Sequence, residues 1–324
     1  MPMTAFRSDR RRILHILAAC GLAPAASWVG RADALAATPT LVFGDQAGGL
    51  RALAEAAHVL DGTSYGFRWA NFQGAAPLFE AQRANAVDLA PAGDLPVLAA
   101  AIGDPSLKIV ATRVGAPSAL GIVVQPDSPV RRVADLKGRT VVVSSARGSI
   151  SQYQLYGALA EAGLTRDDVN VRFVLPVDAF AAFEAQQLEV WATFDPYYGT
   201  AVQRGARVLR DGTKINTGLA FITASGAAAA DQVKRPAISD ALRRFQRAGA
   251  WAVEHPQEYA QVYSTVTRLP LEASRLITGR APLRQRPVSD DDIAALQRVA
   301  DRAFADGILP FRVDVKGITL QGIG

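Results

Sequence analysis

The sequence predicts an α/β protein built as two α/β blocks with a helical C-terminal part. Three observations carry this reading. Short β-type runs alternate with helical ones from Leu41 onward, and the alternation starts afresh after Pro126. From Gln232 helical spacing takes over, with Pro256, Pro270 and Pro287 as punctuation. Strands alternating with helices indicate a parallel sheet covered on its faces. In the first block, Leu41-Val42-Phe43 reads as a strand, Leu50 to Leu60 as a helix and Gly66 to Phe72 as a strand. Leu78 to Ala86 reads as a helix, and Val87-Asp88-Leu89, Ile109-Val110-Ala111 and Ile122-Val123-Val124 as strands.

The second block opens with a short helix, Val130 to Leu136, stopped by Lys137-Gly138. Thr140 to Val143 is almost wholly apolar and β-branched, as a strand buried on both faces requires. Ser149 to Ala162 reads as a helix, with Ser149 and Gln152 at capping-box spacing. Val171 to Val174, Ala179 to Gln187 and Val190 to Thr193 give another β-α-β unit, and a final helix runs from about Asp291 to Ala305. The helical tail is expected to complete the first block. Residues 37–125 with 223–324 then form one lobe and 126–222 the other, with the two crossings near 125 and 223 acting as a hinge.

The net charge of +5 is uneven. Arg7, Arg10, Arg11, Arg12 and Arg31 stand against Asp9 and Asp33 in residues 1–36, whereas later Lys and Arg are interleaved with Asp and Glu. No basic stripe for nucleic acid is visible. The basic start, the apolar run from Ile13 to Leu22 and the Ala34-Leu35-Ala36 ending read as a secretory signal, too short to span a bilayer. The paired arginines ahead of Ile13-Leu14 resemble a twin-arginine signal, with a general export signal as the alternative. Leu17-Ala18-Ala19-Cys20 has the look of a lipobox, but few apolar residues precede it, so removal of Cys20 with the signal is favoured over its lipidation. The mature chain then holds no thiol.

Chemistry for catalysis is not evident. His58 and His255 have no partner at metal-ligand spacing, so no metal site and no cofactor are expected. Neither G-x-S-x-G nor G-x-x-x-x-G-K-[ST] occurs. Asp167-Asp168 and Asp290-Asp291-Asp292 stand at expected helix starts, where acidic side chains complement the dipole. No catalytic residue is assigned.

The informative positions are loops after strands, where open α/β sheets bind ligands. Four stand out: Gly44 to Gly49 (with Gln46 and Gly48), Pro91 to Asp94 (with Gly93 and Asp94), Ser144 to Ser149, and Phe194 to Tyr197 (with Asp195). In the third, Ser145, Gly148 and Ser149 lead into a helix start at Ile150, whose unpaired amides and positive dipole end suit an anion. An ordinary N-cap explains Ser149 equally well. Asp195 either faces the same cleft or caps a helix starting at Pro196. Trp191, Phe194, Tyr197 and Tyr198 divide between apolar wall and core.

The segment from Asp127 to Arg139, containing Ala134-Asp135-Leu136-Lys137-Gly138, resembles a stretch of the periplasmic binding proteins of ABC transporters for aliphatic sulfonates, taurine and nitrate. Gly148-Ser149, Leu159 to Gly163, Trp191 with Asp195-Pro196-Tyr197, Phe72 to Ala75 and Ala90 to Pro96 look similar as well, so the resemblance covers about residues 39–310. It implies a two-lobed periplasmic-binding-protein (Venus-flytrap) fold of type II that closes on its ligand. It also implies a monomeric, exported, non-enzymatic protein delivering a small anion, an alkyl or aryl sulfonate or similar oxyanion, to a permease in the inner membrane. Carried over by position, Gln46, Gly48, Gly93, Asp94, Ser145, Gly148, Ser149 and Asp195 become ligand contacts. Two departures stand out. Leu120 occupies a position where many relatives carry Glu, and Ile150 follows Ser149 where many have a second Ser, which points to a more apolar ligand than taurine. An enzyme of the same fold, similar to desulfinases or thiamine-pyrimidine synthases, and a ligand sensor remain the alternatives.

Overall fold

The computed structural model describes residues 38–323; the expected leader, with its arginines and Cys20, lies outside them. The strands in chain order are β1 (Thr40–Gln46), β2 (Gly66–Phe72), β3 (Leu89–Gly93), β4 (Lys108–Val114), β5 (Leu120–Val124) and β6 (Thr140–Val143). They continue as β7 (Asn170–Phe173), β8 (Val190–Phe194), β9 (Arg207–Asp211), β10 (Leu219–Ala224) and β11 (Arg284–Arg286). They form two sheets, one of six strands in the order β11-β4-β10-β3-β1-β2 and one of five in the order β7-β6-β8-β5-β9. The helices are α1 (Gly49–Ala56), α2 (Ala75–Arg83), α3 (Asp94–Gly103), α4 (Ile150–Glu161), α5 (Pro176–Glu184) and α6 (Tyr197–Gln203). The C-terminal part adds α7 (Gly226–Ala230), α8 (Lys234–Glu254), α9 (Pro256–Thr267), α10 (Leu271–Thr278) and α11 (Asp290–Ala305).

The expected parallel pairing holds for β2-β1-β3 and for β7-β6-β8. It fails for β5 and β10, which run antiparallel to both of their neighbours. Each of these strands arrives directly from the other sheet without a crossover helix, so it enters at the carboxyl edge and runs back along it. The changes of sheet therefore fall between Val114 and Leu120 and between Asp211 and Leu219, somewhat before residues 125 and 223. Apolar alternation marks Leu120 to Val124 and Leu219 to Ala224 as strands but carries no sign of which sheet they join. At the crossings the Gly115 amide donates to the Gly218 carbonyl at 2.9 Å, so the two linking segments lie side by side. The helix expected at Val130 to Leu136 is one 3₁₀ turn, Val133–Leu136, because Asp135 accepts the amides of Arg131 and Arg132 and closes the chain early.

One face of the six-stranded sheet packs Phe43 and Leu41 against α1, α8 and α9, with Phe43 and Phe245 edge to face at 5.3 Å. The other face packs Leu78, Leu95 and Leu98 against Leu296 and Val299 of α11, so the C-terminal helices complete this core. In the five-stranded sheet, Val141 and Val143 meet Leu155 and Leu159 of α4, while Trp191 meets Phe183 of α5 and Tyr198 of α6. Each such large side chain withdrawn from water contributes about 1.5–3 kcal/mol before conformational entropy is subtracted. These cores fix the carboxyl edges of both sheets, and those edges carry the loops of interest.

Candidate functional site

A cavity of about 450 Å³ opens where the carboxyl edges of the two sheets face each other. At its centre is the start of α4. β6 ends in Ser144, whose Oγ accepts the Trp191 indole N–H at 2.9 Å, which places Trp191 wholly in the core. Gly148 has φ +77, and a Cβ there would lie 2.8 Å from the Ala99 Cβ, so both backbone conformation and space demand glycine. Ser149 is the N-cap: its Oγ accepts the Gln152 amide at 3.3 Å.

The donors available at this turn differ from those expected. The Gly148 amide already donates to Gln152 Oε1 at 2.8 Å, and the Ser149 amide to the Ala146 carbonyl at 3.2 Å. The glutamine side chain folds back onto the residue before the cap. Among the donors left without a partner among the described residues are the first helical amides, Ile150 and Ser151, together with the Ser149 hydroxyl proton. An anion at this end meets those three donors and the positive end of the helix dipole.

Of the residues singled out from the sequence, Gln46, Gly93, Ser145, Gly148, Ser149, Ile150 and Asp195 line the cavity. Gln46 Nε2 donates to the Pro91 carbonyl at 2.7 Å, which ties the first two loops together. Gly93 allows close approach of the two walls, since a Cβ there would come 3.1 Å from Ile150 Cδ1. Gly48 and Asp94 do not line it. Gly48, at φ +81, precedes α1 and faces Thr267 of α9, and its neighbour Gly49 forms the wall instead. Asp94 is buried, with Oδ2 accepting the Thr217 hydroxyl at 2.6 Å and Oδ1 the Leu95 amide at 2.7 Å, so it anchors a crossing segment. Arg147 is exposed and lies over the Phe173 ring.

Asp195 reaches the cavity with its charge engaged. Arg280, just after α10, grips both carboxylate oxygens at 2.9 Å, and the Gly199 amide donates to Oδ1 at 2.8 Å. The helix expected to start at Pro196 starts at Tyr197, with Pro196 as its N-cap. Burial pushes the Asp195 carboxyl up to about 7, against the lowering pull of Arg280. The Arg280 guanidinium also sits 5.0 Å above the Tyr198 ring.

Among the cavity-lining groups that escaped the sequence reading are Arg280 and three more: Arg113, Tyr259 and Tyr263. Arg113 is the next-to-last residue of β4, and only a charge near the end of a largely apolar strand marks it in the sequence. The two tyrosines lie one turn apart on α9, 6.2 Å between ring centres. Phe79, Leu120, Phe194, Tyr197 and Ile277 supply apolar wall, with Leu120 at the position where the resembling proteins carry Glu. Among the described residues no cluster of His, Cys, Asp and Glu could hold a metal, and no helix is long and apolar enough to cross a membrane.

The model of a family described as ABC transporter, phosphonate, periplasmic substrate-binding protein matches residues 71–248. A protein of Escherichia coli (strain K12), named as an aliphatic sulfonates-binding protein, is 32% identical over 251 residues, 76% of this chain and 77% of its own. The alkanesulfonate-binding protein SsuA from Xanthomonas axonopodis pv. citri, solved bound to MOPS, superposes with a TM-score of 0.80 at 29% identity, covering 88% of this chain and 99% of that one. The periplasmic aliphatic sulphonate binding protein SsuA from Escherichia coli gives 0.74 at 29% identity, over 87% of this chain and 94% of its own. With the family model matching more than half of its length and both sheets shared with these structures, the chain belongs to the periplasmic substrate-binding proteins of ABC transporters.

Proposed function

We propose that this protein binds a small organosulfonate in the cavity between the two sheets and delivers it, as a monomer in the periplasm, to the permease of an ABC importer. The single observation that carries the ligand class is the α4 start. There Ser149 and Ile150 line the cavity, and the Ser149 hydroxyl proton and the Ile150 amide, backed by the Ser151 amide one residue further in, have no protein acceptor, a match for the diverging oxygens of a tetrahedral anion. The apolar wall beside them, with Leu120 and Ile150 in place of polar groups, favours ligands with an apolar body over taurine. The two sheets with their helices act as lobes that close on the ligand about the segments 115–119 and 212–218. Binding without turnover is supported by the lining itself, which among the described residues includes neither Cys nor His as a nucleophile or general base.

Thermal unfolding in the presence of alkanesulfonates, arenesulfonates, taurine and nitrate tests this reading. A ligand at a hundred times its Kd stabilises by about 2.7 kcal/mol. Arenesulfonates and longer alkanesulfonates should raise the midpoint most and taurine least. A folded protein that none of them stabilises would refute the assignment.

A further inference from the structure

Arg113 is only 6% exposed, lines the cavity, and makes no hydrogen bond or ion pair among the described residues. A buried cation left in that state is costly, so its position calls for an anionic occupant. Asp45 is the carboxylate whose field reaches it, but the two are not in ion-pair contact. Asp45 Oδ1 instead accepts the Leu50 amide at 2.8 Å at the head of α1, and burial raises its pKa toward the neutral form. Tyr259 and Tyr263 line the same cavity, the field of Arg113 reaches Tyr259, and the Tyr263 ring lies 6.2 Å from that of Tyr259; burial pushes both phenols up, so both keep their protons and remain donors. Neither hydroxyl has a partner among the described residues.

This chamber lies apart from the α4 start. Arg113 pairs in register with Ala220, and Ala220 with Gly93, whose Cα faces Ile150. Two ladder steps of about 4.8 Å separate the Arg113 and Gly93 backbones by ~10 Å. The cavity that holds both ends has apolar lining in Leu120, Phe194 and Pro96.

We infer that Arg113, Tyr259 and Tyr263 form a second polar subsite that takes a carboxylate, so that the preferred cargo is an organosulfonate carrying a carboxylate across a rigid apolar body. The inference rests on the sulfonate occupying the α4 start. The division of labour follows from shape: a guanidinium is a planar fork that matches a planar carboxylate with two parallel hydrogen bonds. The diverging amides and hydroxyl at the helix start suit a tetrahedral group.

Calorimetric titration of the mature protein with benzenesulfonate and with 4-sulfobenzoate tests it. The carboxylate should tighten binding about tenfold or more, the size of a hydrogen bond to a charged partner. In Arg113→Met that ratio should fall to about one, and in Tyr259→Phe, which preserves the fold if the arginine variant does not, to an intermediate value. Equal affinities in the wild type overturn the inference. So does a ratio that survives both substitutions, including a parallel loss of both ligands in Arg113→Met, which would make Arg113 the sulfonate anchor. Binding of neither compound overturns the sulfonate reading as well.

Discussion

Of the three arginines that line the cavity, Arg113 and Arg280 stand in opposite electrostatic conditions. Arg280 is engaged on both sides of its fork by Asp195 and lies over Tyr198, so its charge holds the helical tail to the edge of the five-stranded sheet. Arg113 is more deeply buried and has no such partner. The first makes the structure; the second is left for a ligand. A charge lining a pocket is therefore informative only once its partners are counted.

Four variants break or sharpen this contrast. Asp195→Ala strands Arg280 beside the cavity and should lower unfolding stability by about 3 kcal/mol, read from the urea midpoint at constant slope. Combining Asp195→Leu with Arg280→Met should bring stability back to within about 1 kcal/mol of the parent, since what hurts is the orphaned charge and not the missing pair. Arg286 supplies a paired control outside the cavity. It bonds Asp292, which also accepts from Thr112 and Ser289. Burial alone would raise the Asp292 carboxyl, but these partners outweigh it and hold it below its usual value.

A depressed carboxyl stabilises the fold at pH above the ordinary aspartate value of about 3.9 and loses that contribution as pH falls through its own lower value. Asp292→Asn should therefore cost about 2 kcal/mol at pH 7, and its deficit should shrink below about pH 4. A deficit that persists in acid would show that packing and not charge is at work. Arg113→Met, in contrast, should leave the ligand-free protein as stable as the parent or more stable by about 1 kcal/mol. A loss as large as that of Asp195→Ala would end the distinction between the two arginines.

The same contrast marks what could be read from the sequence. The α4 start is a local affair: Gly148, Ser149 and Gln152 lie within five positions, and both the positive φ and the cap follow from residue type. The strands and helices of both blocks are legible for the same reason. The Gln152 side chain closing on Gly148, where reciprocal capping of Ser149 was expected, is a rotamer choice the pattern does not contain. Arg113 and Tyr259 share one cavity, and Asp195 meets Arg280, only because β4, β8 and the helical tail converge on one edge. Periodicity places each on its own element but is silent about their meeting. Asp94 shows the same limit: its loop reaches the cavity through Gly93, while the aspartate one residue later turns inward to Thr217.

The side-by-side linkers also have a mechanical meaning. Two linking segments joined at Gly115 and Gly218 have the shape of a flat ribbon, a form that bends across its thin dimension more easily than it twists. Glycine at both positions keeps that ribbon thin, since a Cβ on Gly218 would come 2.7 Å from the Gly115 carbonyl oxygen and one on Gly115 3.0 Å from the Pro282 backbone. Under the closing motion proposed above, a ribbon of this shape would favour a single swing over a twist. Such a swing would bring the wall carrying Gly93 back onto Ile150 in one alignment, so that cargo would be measured against a jaw of fixed setting.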